Sequence, residues 1–197
     1  GDASAIPNDE AFKNMSPEQL NEVLGQILNG IPVNIRERVS AQIINMTRDQ
    51  MNHMADEQGW RAAFPTSDDI VMNIVNLRKI LEEGLDLNVD PLRVSNKPVN
   101  EMTDDEISKD MNLLLFAFPK RMHDDVMKQV KDQVLKSMSL ESVEDLYKLS
   151  RQDFKKACDL QLSNLRELYQ KWKNGEWTPV GQAEEEVESK TPDDFIQ

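Results

Sequence analysis

The chain has 197 residues, 36 acidic and 23 basic, for a formal net charge of −13. That length suits one domain or two small lobes; 39 % apolar residues suffice for a modest core, and seven Gly with nine Pro exclude collagen-like and low-complexity classes. No apolar run approaches the roughly 18–20 residues of a membrane span and no charged-then-apolar leader opens the sequence, so no membrane association is expected.

Residues 1–12 show no period and read as a flexible N-terminal arm. Ser16-Pro17-Glu18-Gln19 then starts a helix, with Ser as N-cap, Pro at the first helical position and Gln three residues after the cap. Leu20, Val23, Leu24, Ile27, Leu28 and Ile31 recur at helical spacing, and Asn29-Gly30 closes the helix. Pro32 opens a second helix whose stripe is Ile35, Val39, Ile43 and Met46, running to a stop at Gly59; Trp60, Phe64 and Pro65 form a connector. Thr66-Ser67-Asp68-Asp69 caps a third helix, whose broad apolar face from Ile70 to Leu81 predicts a central, buried element ending at Gly84.

The stretch from Asp86 to Val99, with Pro91 and Pro98, reads as a linker. Thr103-Asp104-Asp105-Glu106 is a second capping box, leading into Ile107, Met111, Leu114, Leu115 and Phe118. Pro119 begins another helix, with Met122, Val126, Val130 and Val134 on one face. Ser142 and Ser150 cap a short helix and then a long one carrying Phe154, Ala157, Cys158, Leu165, Leu168, Tyr169 and Trp172, stopped by Asn174-Gly175. No segment alternates with period two between hairpin turns. The expected fold is all-α: six to seven helices, with two helix–Pro–helix hairpins packed around a central apolar helix. The helical domain should span 13–178, as two lobes at 13–90 and 101–178 joined by the Pro-containing loop, and an acidic tail occupies 179–197.

Displacing the sequence by 87 residues lays Met15-Ser16 on Met102-Thr103, Leu20 on Ile107, Leu24 on Met111, Ile27 on Leu114 and Ile31 on Phe118. In the same register Pro32 meets Pro119, Ile35 meets Met122, Val39 meets Val126 and Ile43 meets Val130. Each half thus presents a helical hairpin whose apolar face is too wide to leave in water.

The catalytic stock is thin. No Gly-rich phosphate loop, Ser-His-Asp order, Cys–His pairing or Cys-x-x-Cys spacing occurs. His123-Asp124 with His53 upstream resembles the ligand pattern of helical metal-dependent phosphohydrolases, but no fourth ligand stands out, and Asp124 and Asp125 suit a first helical turn. Asp86-Leu-Asn88-Val-Asp90 has the spacing of a calcium loop, with Pro91 and Lys97 where that loop needs Gly and Glu; a polar turn is expected. Glu82-Glu83 and Asp104-Asp105-Glu106 lie at helix ends, as paired acids do by chance in an acidic chain. No catalytic residue, metal site or cofactor is therefore expected. The lone Cys158 cannot close an intramolecular disulfide, which suits a reducing, cytoplasmic setting, and it reads as a small buried hydrophobe.

The charge points to partners. Residues 181–197 carry Glu184, Glu185, Glu186, Glu188, Asp193 and Asp194 against Lys190, whereas 151–180 carries six bases and four acids. The leading expectation is a non-enzymatic module, an adaptor, regulator or assembly factor, that binds another protein through apolar helix faces and through Trp172, Trp177 and the tail acids Glu184, Glu185, Glu186, Asp193 and Asp194; a homo-oligomer is compatible with those faces. Ten methionines suit adaptable faces as well as core gaps, and the Asn-, Gln- and Met-rich helices also suit a small phage or viral accessory protein. An alternative is a nucleic-acid-associated accessory using Lys155, Lys156, Arg166, Lys171 and Lys173 with interleaved aromatics, over which the acidic tail could fold as a mask. Further alternatives are an acidic DNA mimic and, remotely, a metal-dependent hydrolase.

Overall fold

The computed structural model describes residues 9–58 and 68–179. Among them no strand occurs; the α-helices are α1 (Asp9–Lys13), α2 (Pro17–Leu28), α3 (Val33–Gln58), α4 (Asp68–Glu83), α5 (Asp104–Ala117), α6 (His123–Ser137) and α7 (Arg151–Lys173). The fold is all-α, and none of the described helices is long and apolar enough to cross a membrane. Short 3₁₀ turns precede α5, α6 and α7. The connector with Trp60, Phe64 and Pro65, the Thr66-Ser67 cap and the tail from Val180 onward lie outside the described residues.

The local signals act as the sequence implies. Ser16 and Thr103 cap α2 and α5 reciprocally: the Ser16 hydroxyl accepts from the Gln19 N–H at 3.1 Å while Gln19 Oε1 accepts from the Ser16 N–H at 2.8 Å, and Thr103 and Glu106 do the same at 3.1 and 3.2 Å. Two of the four amides that a helix start leaves unpaired are thereby met at each helix. Gly84 and Gly175 take positive φ of 91° and 75° just beyond α4 and α7, the left-handed conformation that a helix stop needs and a side chain resists.

The chain divides into two compact units between Arg93 and Val94. In the first, α4 packs on both α2 and α3; in the second, α7 packs on both α5 and α6. Each unit thus has an apolar third helix packed on both helices of its hairpin. The second unit begins ahead of residue 101 because Arg166 on α7 donates to the carbonyls of Ser95 and Lys97 at 3.2 and 3.0 Å, tying residues 95–97 to it. At the other end, residues 9–12 are no loose arm: α1 forms, and Phe12 is 5 % exposed in a cluster with Leu20 and Ile74. Its five residues are too few to show a helical period, and burial of one aromatic ring holds them.

Both units are built on one plan. The 87-residue register buries Leu20 and Ile107, Ile31 and Phe118, Ile35 and Met122, Val39 and Val126, and Ile43 and Val130 alike. A register of 88 extends the match to the third helix, where buried Ile74, Leu77 and Ile80 correspond to buried Leu162, Leu165 and Leu168, and Asn76-Leu77-Arg78 to Asn164-Leu165-Arg166. The proline turns match in detail. Arg36 donates to the Ile31 carbonyl through Nε (3.2 Å) and Nη2 (2.7 Å), and His123 Nε2 donates to the Phe118 carbonyl at 2.9 Å. Each carbonyl directly precedes a proline, and a side chain five residues on supplies it with a donor.

Candidate functional site

Between α5 and the first turns of α7, the second unit opens a groove of about 840 Å³. Ile107 and Met111 from α5 and Phe154 and Cys158 from α7 form its apolar floor; Asp104, Arg151 and Lys155 supply charge. The Asp104 carboxylate and the Lys155 ammonium meet at 3.7 Å, both well exposed, so the pair adds little stability. Arg151 has no ion-pair partner among the described residues. Phe154 is 40 % exposed and its ring lies 6.5 Å from that of Tyr147, itself 78 % exposed, so two aromatic rings face water beside the groove. Such a patch is uncommon on a surface with no partner.

The repeat relates part of the floor to the first unit. The counterparts of Ile107, Met111 and Cys158 are Leu20, Leu24 and Ile70, all members of the apolar cluster that Phe12 closes. In the second unit Cys158 replaces the larger Ile70, and Val99 stands where Phe12 would.

Cys158 is half-buried on the groove floor rather than lost in the core, and burial, then Asp159 and Asp104, push its thiol above the usual cysteine range. At neutral pH it is a protonated, weakly nucleophilic thiol. His123 is half-buried, edge-on to Phe116 at 4.6 Å, and burial pulls its imidazole below the usual histidine range. It closes the proline turn of the second unit, whereas His53 is exposed on α3 of the first. Among the described residues no group of three His, Cys, Asp or Glu is placed to hold a metal ion. The Asp86–Asp90 segment is a turn: Asp86 accepts from the Asn88 N–H at 3.0 Å and Asp90 pairs with Arg93 at 3.1 Å, between buried Leu85 and Leu92.

The expected protein-contact aromatics, Trp172 and Trp177, lie half-buried around fully buried Phe118, with ring centroids 4.9 and 6.3 Å from it, and Tyr169 joins them at 5.5 Å. Glu184, Glu185, Glu186, Asp193 and Asp194 lie outside the described residues. The bases named for nucleic acid are dispersed. Arg166 turns inward to Ser95, Lys97, Met102 Sδ (3.2 Å) and Asp110 (3.6 Å). Lys171 pairs with Glu167 at 3.2 Å, and Lys173 stacks over Trp172 at 5.4 Å. Lys155 and Lys156 stand about 24 Å from Lys171 along α7, at 1.5 Å per residue.

A smaller cavity of about 430 Å³ on the first unit, between α3 and the start of α4, is lined by Ile44, Met51, Thr47 and Asn73 among others. Sequence reasoning missed the larger groove because Phe154, Ile107 and Met111 sit at core-like spacing. The one signal was Cys158 standing opposite Ile70 in a register that had to be carried through the third helix. No family model matches this chain, nor does any curated protein or solved structure.

Proposed function

We propose that the chain is a non-enzymatic helical interaction protein whose second unit docks an apolar segment of another protein in the α5–α7 groove. The apolar floor carries this reading. Ile107, Met111, Phe154 and Cys158 line a space large enough for several side chains, and each Å² withdrawn from water contributes roughly 25 cal/mol. Met111 offers a face that repacks readily around different shapes. Arg151 and Lys155 at the rim favour a partner segment that carries carboxylates beside its apolar residues. The inward-turned Arg166 and the paired Lys171 weaken the nucleic-acid alternative, since they are drawn from the set that would meet phosphates.

The test is capture from a lysate of the source organism by the full chain and by Phe154→Glu, each with and without nuclease, read by mass spectrometry. Phe154 is exposed enough for the substitution to leave the fold intact, which circular dichroism checks. The expected result is a specific protein retained through nuclease and lost with Phe154→Glu. An unchanged partner set in the variant overturns the groove as the contact, and loss of all partners on nuclease treatment favours nucleic acid.

A further inference from the structure

Resting on the groove as a docking site, we infer that its resident occupant is the chain's own acidic tail, with Phe195 and Ile196 seated on Ile107, Met111 and Cys158 and the neighbouring carboxylates against Arg151 and Lys155. Three observations converge. The first unit shows what this face takes: Leu20, Leu24 and Ile70, the counterparts of the groove floor, share a cluster with Phe12, a ring that the chain itself supplies from a flanking segment. In the 87-residue register the second unit has Val99, not a ring, opposite Phe12, and its flanking segment on the other side, the tail, carries Asp193-Asp194-Phe195-Ile196.

Charge agrees. The tail carries six acids against Lys190, and the rim carries Arg151 and Lys155 against Asp104. Opposite charge fixes the register and orientation of such a contact more than it adds affinity.

Reach agrees as well. Pro179 is buried just past the end of α7, the helix that floors the groove. From Lys173 back to Lys155 is about 27 Å at 1.5 Å per residue, while sixteen residues from Pro179 to Phe195 extend to about 50 Å. A tether of this kind gives an effective concentration of order mM, so a contact with an intrinsic Kd of about 0.1 mM keeps roughly nine grooves in ten covered. A foreign segment binds by displacing the tail, and the tail thereby sets a threshold for partners that present a ring and carboxylates of their own.

Cys158 reports on this directly, being the one cysteine of the chain and part of the groove floor. The experiment is the rate of alkylation of Cys158 by a maleimide in the full chain, compared with Phe195→Asp/Ile196→Asp, at low and high salt and over a dilution series. Far-UV circular dichroism checks that the variant keeps its helices. The expected result is a rate about tenfold higher in the variant, following from the covered fraction above, a rise with salt in the parent chain only, and no dependence on protein concentration. A rate indifferent to the tail substitutions overturns the proposal. Protection that fades on dilution overturns it too, since the tail would then be seated on a second copy. A tail-independent rate alongside partner capture that still needs Phe154 overturns the tail's role and leaves the groove's. A second reading comes from a Gln197→Cys chain, whose added thiol adjoins the seated Ile196, oxidised with diamide: an intramolecular disulfide to Cys158 supports the seating, and a reduced monomer overturns it.

Discussion

Asn76 and Asn164 hold the same place in the two units, yet they meet different neighbours. Asn76 donates to Thr47 Oγ1 at 3.0 Å and exchanges amide hydrogen bonds with Gln50 at 2.9 and 3.2 Å, all within buried or part-buried surroundings. In the second unit the positions of Thr47 and Gln50 are held by Val134 and Ser137, and Nδ2 of Asn164 is buried with no hydrogen-bond partner. A buried donor without an acceptor costs about 1–3 kcal/mol. Asn164→Leu is therefore expected to stabilise the second unit by about 1 kcal/mol, whereas Asn76→Leu, which strips Gln50 of its partner, lowers stability by about 2 kcal/mol. Urea unfolding of the two variants checks the opposite signs.

Arg166 separates a structural role from a phosphate-binding one. Its guanidinium faces Asp110, whose side chain is 6 % exposed and also accepts from the Ser95 N–H at 3.0 Å. Arg166→Met takes the cation from a buried carboxylate, and the expected loss is about 3 kcal/mol. Adding Asp110→Leu is expected to recover most of it, because the charge left behind is removed as well. Equilibrium unfolding of the single and double variants measures the coupling; a stable Arg166→Met chain would contradict the inward role.

The pH dependence of the second unit follows from His123. Burial holds its imidazole below the usual histidine range in the folded chain, so the unfolded chain takes up the proton first on acidification. Stability is full above the unfolded pKa of about 6.5 and falls as the pH drops from there toward the lower folded value. His123→Gln, which keeps a donor for the Phe118 carbonyl, is expected to flatten the stability profile over that window. Thermal melts across it, with NMR titration of the ring, test both the sign and the assignment.

Trp172 is expected to contribute to the fold whatever else it does. Its ring lies 4.9 Å from that of Phe118 and 6.0 Å from that of Tyr169, over the proline turn joining α5 to α6. Trp172→Ala should destabilise the second unit by about 2–3 kcal/mol, less than the roughly 3–5 kcal/mol of a fully buried aromatic because the ring is half-buried. Unfolding followed by far-UV circular dichroism checks it, and an unchanged midpoint would return Trp172 to the role of a pure contact residue.

The sequence by itself determined the parts that short-range physics controls. Helix starts at Ser16, Thr103 and Ser150 need only a side-chain oxygen near the first free amides, and stops at Gly84 and Gly175 need only freedom at φ. The spacing of Ile35, Val39 and Ile43, and of Met122, Val126 and Val130, likewise announces one buried face on each hairpin. What a face is buried against was decided only by tertiary structure. Phe12 in five residues has no period, yet it is buried because Leu20 and Ile74 meet it. Arg166 and Lys156 look alike as bases in one helix, but only Arg166 is turned onto the 95–97 segment and Asp110. Phe154 and Leu165 both occupy apolar positions of α7, and one is exposed where the other is not, because Phe154 borders the open groove while Leu165 is fully buried. Local propensity acts on neighbours along the chain. Burial, and with it the groove, depends on residues brought together from distant segments, whose volumes must match before any space between them is filled or left open.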